Sequence, residues 1–408
     1  MAHVQSCRVL IAGTGPAGLA TALYLLRRRP DLKGQVIALE RRRHPRPKVC
    51  AGGLIPKTML ALAELDLPLD VPAVSVRRGV ARTEVGTVDY RGGGVLCTVV
   101  RRDEFDARLA RAARQAGLEI IEDCRVGDVQ TSADAVMVHA TAGDFAADVL
   151  VGADGSGSRV REALFERDRQ WVGRAVMLDV SAPAARAADF AATPYCFDFT
   201  CVSAGIRGYS WSFPCLIGGR PYLNVGIYDQ CPRAAVDPAR AKAALLDALA
   251  QAFPDLPIPA PHQGGYKAFP IRWYAPQQSF VRGRVLLAGD AAGVDPLMGE
   301  GISCAFEHGK LAAQALDDFF GGKPDALAAY DAVLHRGAAA RKLRRLGVAA
   351  RLFYGPRHRL YFRLASLSRS AQRIGIDWYN GADHLDEKSI PALLTRWAKA
   401  VLFGFPMG

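Results

Sequence analysis

Three stretches of this chain set residue types together in ways that do chemistry. Gly13-Thr14-Gly15-Pro16-Ala17-Gly18 follows the apolar run that ends at Ala12. In such a GxGxxG pattern the first glycine permits a tight turn and the second lets a pyrophosphate approach the backbone. The third lets a helix pack closely on a strand, with the phosphates at the helix N-terminus. Glu40 closes the next apolar run twenty-two residues after Gly18. A carboxylate there accepts hydrogen bonds from both ribose hydroxyls and repels a 2′-phosphate.

The second stretch, Arg284–Gly293, ends another apolar run with Gly289 and Asp290. A carboxylate at that strand end suits the ribityl hydroxyls of FAD, a chain that NAD lacks. Gly299 and Gly301, just before a helix expected to start near Ile302, would turn backbone N–H groups toward a flavin pyrimidine edge. Donors so placed stabilise an anionic reduced ring. The third stretch, Lys48 to Lys57, sets Cys50 against two glycines, in what reads as a flexible loop. A thiol there either gates a flavin ring or supplies a proton, or is a small packed hydrophobe, and both readings stand. His44 and His308 are isolated candidate acids.

Elements must hold these residues in place. Arg8–Gly13 reads as a buried strand, the residues after it as a helix, and Gln35–Glu40 as a second strand, which together make one βαβ unit. A helix is expected over Arg102–Ala116, then strands through Leu118–Gln130 and Ala135–Ala140, and another ending at Asp154-Gly155. From about Trp171 to Ile271 the texture changes to alternating strands rich in aromatics, with an amphipathic helix inside. The expected organisation is a discontinuous dinucleotide-binding domain (1–170 and 272–330), an inserted β-rich substrate domain (171–271) and a helical C-terminal region (331–408). The fold class is therefore α/β, Rossmann-like.

Composition sets the bounds. The chain has 408 residues, 50% apolar and 23% charged, the balance of a globular protein. The N-terminus shows no cleavable signal pattern and no run is long enough to span a membrane, so a cytoplasmic location is expected. Nine cysteines are scattered singly without a CxxC pair, which points to no metal site and no iron–sulfur cluster. Of the net charge of +12, residues 332–376 supply eleven, as ten Arg and one Lys without an acid. That segment reads either as a peripheral contact for an anionic membrane surface or as a solvated helix face beside a core stripe. Nucleic acid is not expected, because no recognition motif accompanies the charge.

Together the GxGxxG motif with Glu40, the Arg102–Phe105–Asp106 pattern, the Asp154-Gly155 pair and the Ala288–Gly293 motif resemble the FAD-dependent superfamily that includes p-hydroxybenzoate hydroxylase and the geranylgeranyl reductases. The resemblance spans about residues 8 to 320. It implies FAD held by Gly13, Gly15, Pro16, Ala17, Gly18, Glu40, Arg41, Arg102, Gly289 and Asp290, with contacts near Val126 and over Gly299, Gly301 and Ile302. Asp154 would serve partly the cofactor and partly the strand end.

Two stretches resemble the geranylgeranyl reductase branch, Lys48–Leu54 and Gly208–Pro214. Tyr209, Trp211 and Phe213 alternate along a strand and so share one face. They either wall an apolar cavity or pack an interdomain core, and the resemblance favours the cavity. With Cys50 they are the candidate catalytic-site residues. Cys215 stands where the branch often has a lysine, which weakens an anion-binding role there. The resemblance implies reduction of a C=C bond in an isoprenoid or other hydrophobic, lipid-like substrate, with NAD(P)H or a protein donor as reductant. A monooxygenase acting on an aromatic or peptide-borne substrate would show the same FAD residues. An electron-transfer flavoprotein docked through the basic segment is the alternative from a different class.

Overall fold

The computed structural model describes residues 4–91, 93–165, 171–230, 238–323 and 325–366, with 395, 398 and 399. At its centre lies the strand Val4–Ala12, flanked by the parallel strands Val36–Leu39 and Gly143–Gly152, with Glu119–Ile121 and Val285–Leu287 outside them. Val9 to Ala12 are fully buried, as a parallel strand with both faces covered requires. The helices Pro16–Arg28 and Ile302–Phe320 pack on each other through small residues: a Cβ on Gly309 would lie 2.7 Å from the Ala20 Cβ.

Register explains how distant motifs meet. Ala12 pairs with Gly152, and Gly152 pairs with Leu287, all in parallel. Residues just beyond three neighbouring strand ends, Gly13, Asp154 and Asp290, therefore reach the same edge of the sheet. Ligands of open α/β sheets bind along that edge.

A second, seven-stranded sheet runs in the order Lys267–Arg272, Val172–Ser181, Arg220–Asp229, Gly208–Ile217, Tyr195–Asp198, Arg78–Thr83, Gly86–Arg91. The last two strands come from residues that the sequence pattern groups with the dinucleotide-binding unit. They pair here instead, Gly79 lying in parallel beside Tyr195. Composition gives no sign of this, because Arg78–Arg91 forms an ordinary polar hairpin by itself. Across the sheet Tyr209 pairs with Tyr228, Tyr228 with Ala175 and Ala175 with Phe269, while Trp211 pairs with Gly226 and Gly226 with Met177. These residues share one face.

The helices Ala326–Arg336, Ala338–Phe353 and His358–Ser366 follow. Residues 367–376 of the basic segment lie outside the described residues. Within the described part the charge divides: Lys342 and Arg345 are buried, while Arg341, Arg344, Arg351, Arg357 and Arg363 are exposed. Among the described residues, no helix is long and apolar enough to cross a membrane.

Candidate active site

A cavity of about 640 Å³ runs from the glycine-rich turn to the aromatic face of the second sheet. Of the residues expected to serve a cofactor, Gly13, Gly15, Pro16, Ala17, Glu40, Arg41, Arg102, Val126, Asp154, Asp290, Gly299, Gly301 and Ile302 line it. Cys50, Tyr209, Trp211 and Phe213 line it too. Gly18 and Gly289 do not, and packing explains both. A Cβ on Gly18 would meet the Gly13 carbonyl oxygen at 2.0 Å, so this glycine seats the helix on the strand. Gly289 has φ +60°, and a Cβ there would press to 2.6 Å from the Ala17 Cβ. Its N–H donates to Nδ1 of buried His308 at 3.1 Å. Burial holds the His308 pKa below its ordinary value, which keeps that nitrogen free to accept.

At the glycine turn the Glu40 carboxylate accepts from the Thr14 N–H (3.2 Å) and hydroxyl (2.8 Å) through Oε2, and from the Arg42 N–H (3.2 Å) through Oε1. His44 Nε2 lies 2.8 Å from the same Thr14 hydroxyl. Neither histidine lines the cavity, so neither stands where a substrate proton would be delivered. Arg102 and Asp106, one helical turn apart and both buried, form a two-pronged ion pair at 2.8 and 3.0 Å. Geometry of that kind is among the strongest a carboxylate makes.

Asp154 caps the helix Arg159–Leu164, its Oδ2 accepting from the N–H groups of Arg159 (2.6 Å) and Val160 (3.2 Å). Its Oδ1 is buried without a hydrogen-bond partner among the described residues. Asp290 Oδ2 accepts from the Ser156 hydroxyl at 3.0 Å, and a Cβ on Gly301 would come to 3.1 Å from Oδ1. The loop from Asp295 to Gly301 is clamped on several sides. Tyr209 donates to the Met298 carbonyl, Gln230 to that of Pro296 (2.6 Å) and Tyr354 to that of Leu297 (2.6 Å).

The cysteine loop is not slack. Gly52 has φ +78°, and its missing Cβ would fall 1.9 Å from the Val100 carbonyl oxygen, so only glycine fits. A Cβ on Gly53 would lie 3.0 Å from both Phe213 Cε2 and Cys97 Sγ. The expectation of flexibility therefore fails: the two glycines permit close approach, one to a strand backbone and one to the aromatic wall. The Cys50 thiol accepts from the Gly52 N–H at 3.4 Å and interacts with the Arg102 guanidinium.

Trp211 is held from behind, whereas the buried Tyr228 hydroxyl beside it has no hydrogen-bond partner among the described residues. The Trp211 indole N–H donates to Asn224 Oδ1 (2.9 Å), whose amide donates to Asp179 (2.8 Å), which pairs with Arg101 (3.0 Å). What Tyr209, Trp211 and Phe213 offer to the cavity is therefore ring surface. Three contributors carry no assigned role in the sequence motifs, although Lys48 opens the Lys48–Leu54 stretch. Arg46 lies 3.1 Å from Glu40 and donates to the Thr14 carbonyl oxygen at 3.2 Å. Lys48 lines the cavity waist, and Asn224 holds Trp211. The dense basic run from Arg41 to Lys48 was a signal for the first two, while nothing local marked Asn224.

The cradle fits an FAD. Among the described residues, only the Arg46 guanidinium, at 3.8 Å, approaches a Cβ placed on Gly15, and nothing lies within 4 Å of one on Gly155 or Gly157. Backbone is thus open to a pyrophosphate beside the cations Arg46 and Arg102. Residues 6–344 match the FAD binding domain family. Menaquinone reductase of Mycobacterium tuberculosis is 27% identical over 334 residues, covering 77% of each chain. Chloroplastic geranylgeranyl diphosphate reductase of Oryza sativa subsp. japonica is 29% identical, over 76% of this chain and 66% of its own. A geranylgeranyl bacteriochlorophyll reductase-like protein of Thermoplasma acidophilum shares the fold, with a TM-score of 0.71 over 98% of both chains at 19% identity.

Proposed function

The chain belongs to the FAD binding domain family, whose members are flavin-dependent oxidoreductases, and on that premise we propose that it reduces a C=C bond of an isoprenoid or similarly apolar substrate. The observation that carries this reading is the continuity of one cavity from the dinucleotide cradle to a wall of aromatic ring faces, on which the Tyr209 hydroxyl and the Trp211 N–H are already bonded elsewhere. Such a wall favours hydrocarbon, since a polar group placed against it would lose its hydrogen bonds to water. Relatives named as reductases of menaquinone and of geranylgeranyl diphosphate support it.

Bound FAD, reduced by NAD(P)H or by a protein donor, supplies hydride. The chain's own residues bind and orient. Glu40 takes the ribose hydroxyls, the backbone at Gly13, Gly15, Pro16 and Ala17 with Arg46 and Arg102 takes the pyrophosphate, and Asp290 takes the ribityl chain. Gly18 and Gly289 shape that cradle from behind, Arg41 and Val126 border the adenosine end, and Asp154 divides itself between cofactor and helix cap. The N–H groups from Gly299 to Ile302 would serve the pyrimidine edge of the bound ring, where the helix N-terminus favours negative charge. Cys50 fixes the loop beside the ring through Gly52 and Arg102. Tyr209, Trp211 and Phe213 hold the apolar chain and exclude water.

The test is anaerobic: the reduced holoenzyme is mixed with prenyl lipids, prenylated quinones and aromatic acids. Flavin reoxidation with a saturated polyprenyl product is the expected result. An oxygen adduct and hydroxylated product on admitting air would mark a monooxygenase, and reoxidation only by a protein or a quinone ring would mark electron transfer. Either outcome overturns the proposal.

The exposed arginines of the C-terminal helices, with Val348 and Leu360 uncovered among them, support peripheral contact with an anionic bilayer that holds such a substrate. Co-sedimentation with phosphatidylserine-containing vesicles is expected to fall at least tenfold between low salt and 0.5 M salt, and to be weak with neutral vesicles. Equal sedimentation with both vesicle types would end this idea.

A further inference from the structure

Lys48 stands at the waist of the cavity, between the dinucleotide cradle and the aromatic wall. Its ammonium lies 3.4 Å from the centroid of the Phe269 ring, close enough for a cation–π contact. Phe269 belongs to the edge strand of the second sheet, whereas the charged groups that act on Lys48 belong to the cradle. Asp290 and Asp106 attract the ammonium, Arg102 repels it, and the Cys50 thiol lies in its field. Among the described residues no carboxylate comes within ion-pair distance of its Nζ. Every other cation deep in the cradle is matched, Arg102 by Asp106 and Arg46 by Glu40 and Asp106. A cation held by a ring face, without a paired acid, is arranged for a negative charge that arrives from outside the polypeptide.

We propose that Lys48 is the counter-charge for the reduced flavin, its ammonium stabilising the anionic ring and raising the reduction potential of the bound cofactor. The role presupposes that the cavity holds FAD, as proposed above. Two-electron reduction of the ring to its anion takes up two electrons and one proton. Burial pushes the Lys48 pKa down to about 8. Below that pH the ammonium is already charged and reduction takes up one proton in all. Above it Lys48 is neutral before reduction, and the new negative charge draws a second proton onto Nζ.

Potentiometric titration of the FAD-loaded protein against pH reads this directly, without substrate. In the unsubstituted protein the reduction equilibrium should fall tenfold per pH unit below about pH 8, about 30 mV for a two-electron couple, and close to a hundredfold per unit just above it. Lys48→Met should keep the tenfold slope throughout and lower the equilibrium constant at pH 7 by on the order of tenfold to a hundredfold. Lys48→Arg should retain the higher potential and lose the break, because a guanidinium does not deprotonate in this range. The same potential and slope in Lys48→Met as in the unsubstituted protein would overturn the proposal. So would a large loss of FAD affinity in Lys48→Met with the potential of the remaining bound flavin unchanged, which would assign the lysine to the pyrophosphate. Failure of the unsubstituted protein to bind FAD would instead overturn the cofactor reading on which the role rests.

Discussion

Asp290→Ala is expected to leave purification without flavin, its affinity for FAD lowered by about a hundredfold. The carboxylate sits just past the strand Val285–Leu287, with one oxygen held by Ser156 and the other facing Gly301, where even a Cβ would crowd it. A side chain fixed so firmly gives up little entropy on binding, and each hydrogen bond from a ligand hydroxyl to a charged acceptor contributes about 1.5 to 3 kcal/mol. Loss of two such bonds to the ribityl chain, at the lower end of that range, gives the stated factor. The absorbance ratio of flavin to protein and a calorimetric titration of the apoprotein measure it. Asp290→Asn, which keeps the shape and removes the charge, should fall between. Full flavin occupancy in Asp290→Ala would place the ribityl site elsewhere.

Gly226→Ala is the second large effect, and it acts on the other half of the cavity. A Cβ at this position would lie 2.3 Å from Trp211 Cζ2 and 2.6 Å from the Val176 carbonyl oxygen, so the indole cannot stay where it is. Nor can it swing away freely, because its N–H is tied through Asn224 and Asp179 to Arg101. Overpacking costs about 1 to 3 kcal/mol, and stranding the buried Asn224 costs about as much again. We expect FAD to remain bound while substrate-linked oxidation of the reduced flavin falls tenfold or more, with a shifted tryptophan emission. Unchanged kinetics together with unchanged emission would show that the occupant does not rest on this wall.

These variants also divide what residue patterns reveal from what they hide. The cradle was legible because each part is local: a strand, a glycine turn and an acid at a fixed distance make Gly13, Glu40 and Asp290 readable one motif at a time. Alternation alone put Tyr209, Trp211 and Phe213 on one face, and their common border on the cavity agrees with it. What stayed hidden depends on contacts between segments far apart in the chain. Asn224 looks like any strand asparagine until the register sets it against Trp211. The glycines after Cys50 suggested slackness, yet their positions are forced by Val100 and Phe213, nearly 50 and 160 residues on. Lys48 opens the Lys48–Leu54 stretch, yet nothing local shows what its ammonium rests on until the fold lays it on Phe269.

The hairpin Arg78–Arg91 has a consequence for how the molecule is made. It forms two of the seven strands of the second sheet, yet it leaves the ribosome more than a hundred residues before Tyr195, its neighbour in that sheet. Pairing that is both parallel and remote in the chain is slow to form, because the intervening loop must close before the contact is rewarded. Until then the nascent hairpin presents an open strand edge, a surface on which chaperones act and through which aggregation begins. A fragment confined to residues 171–271 would carry the same weakness from the other side, with the Tyr195–Asp198 strand bared along the edge that Arg78–Thr83 covers in the whole chain. The half of the protein that carries the aromatic wall is thus not a separable cassette but is tied to the cofactor half by the order of synthesis.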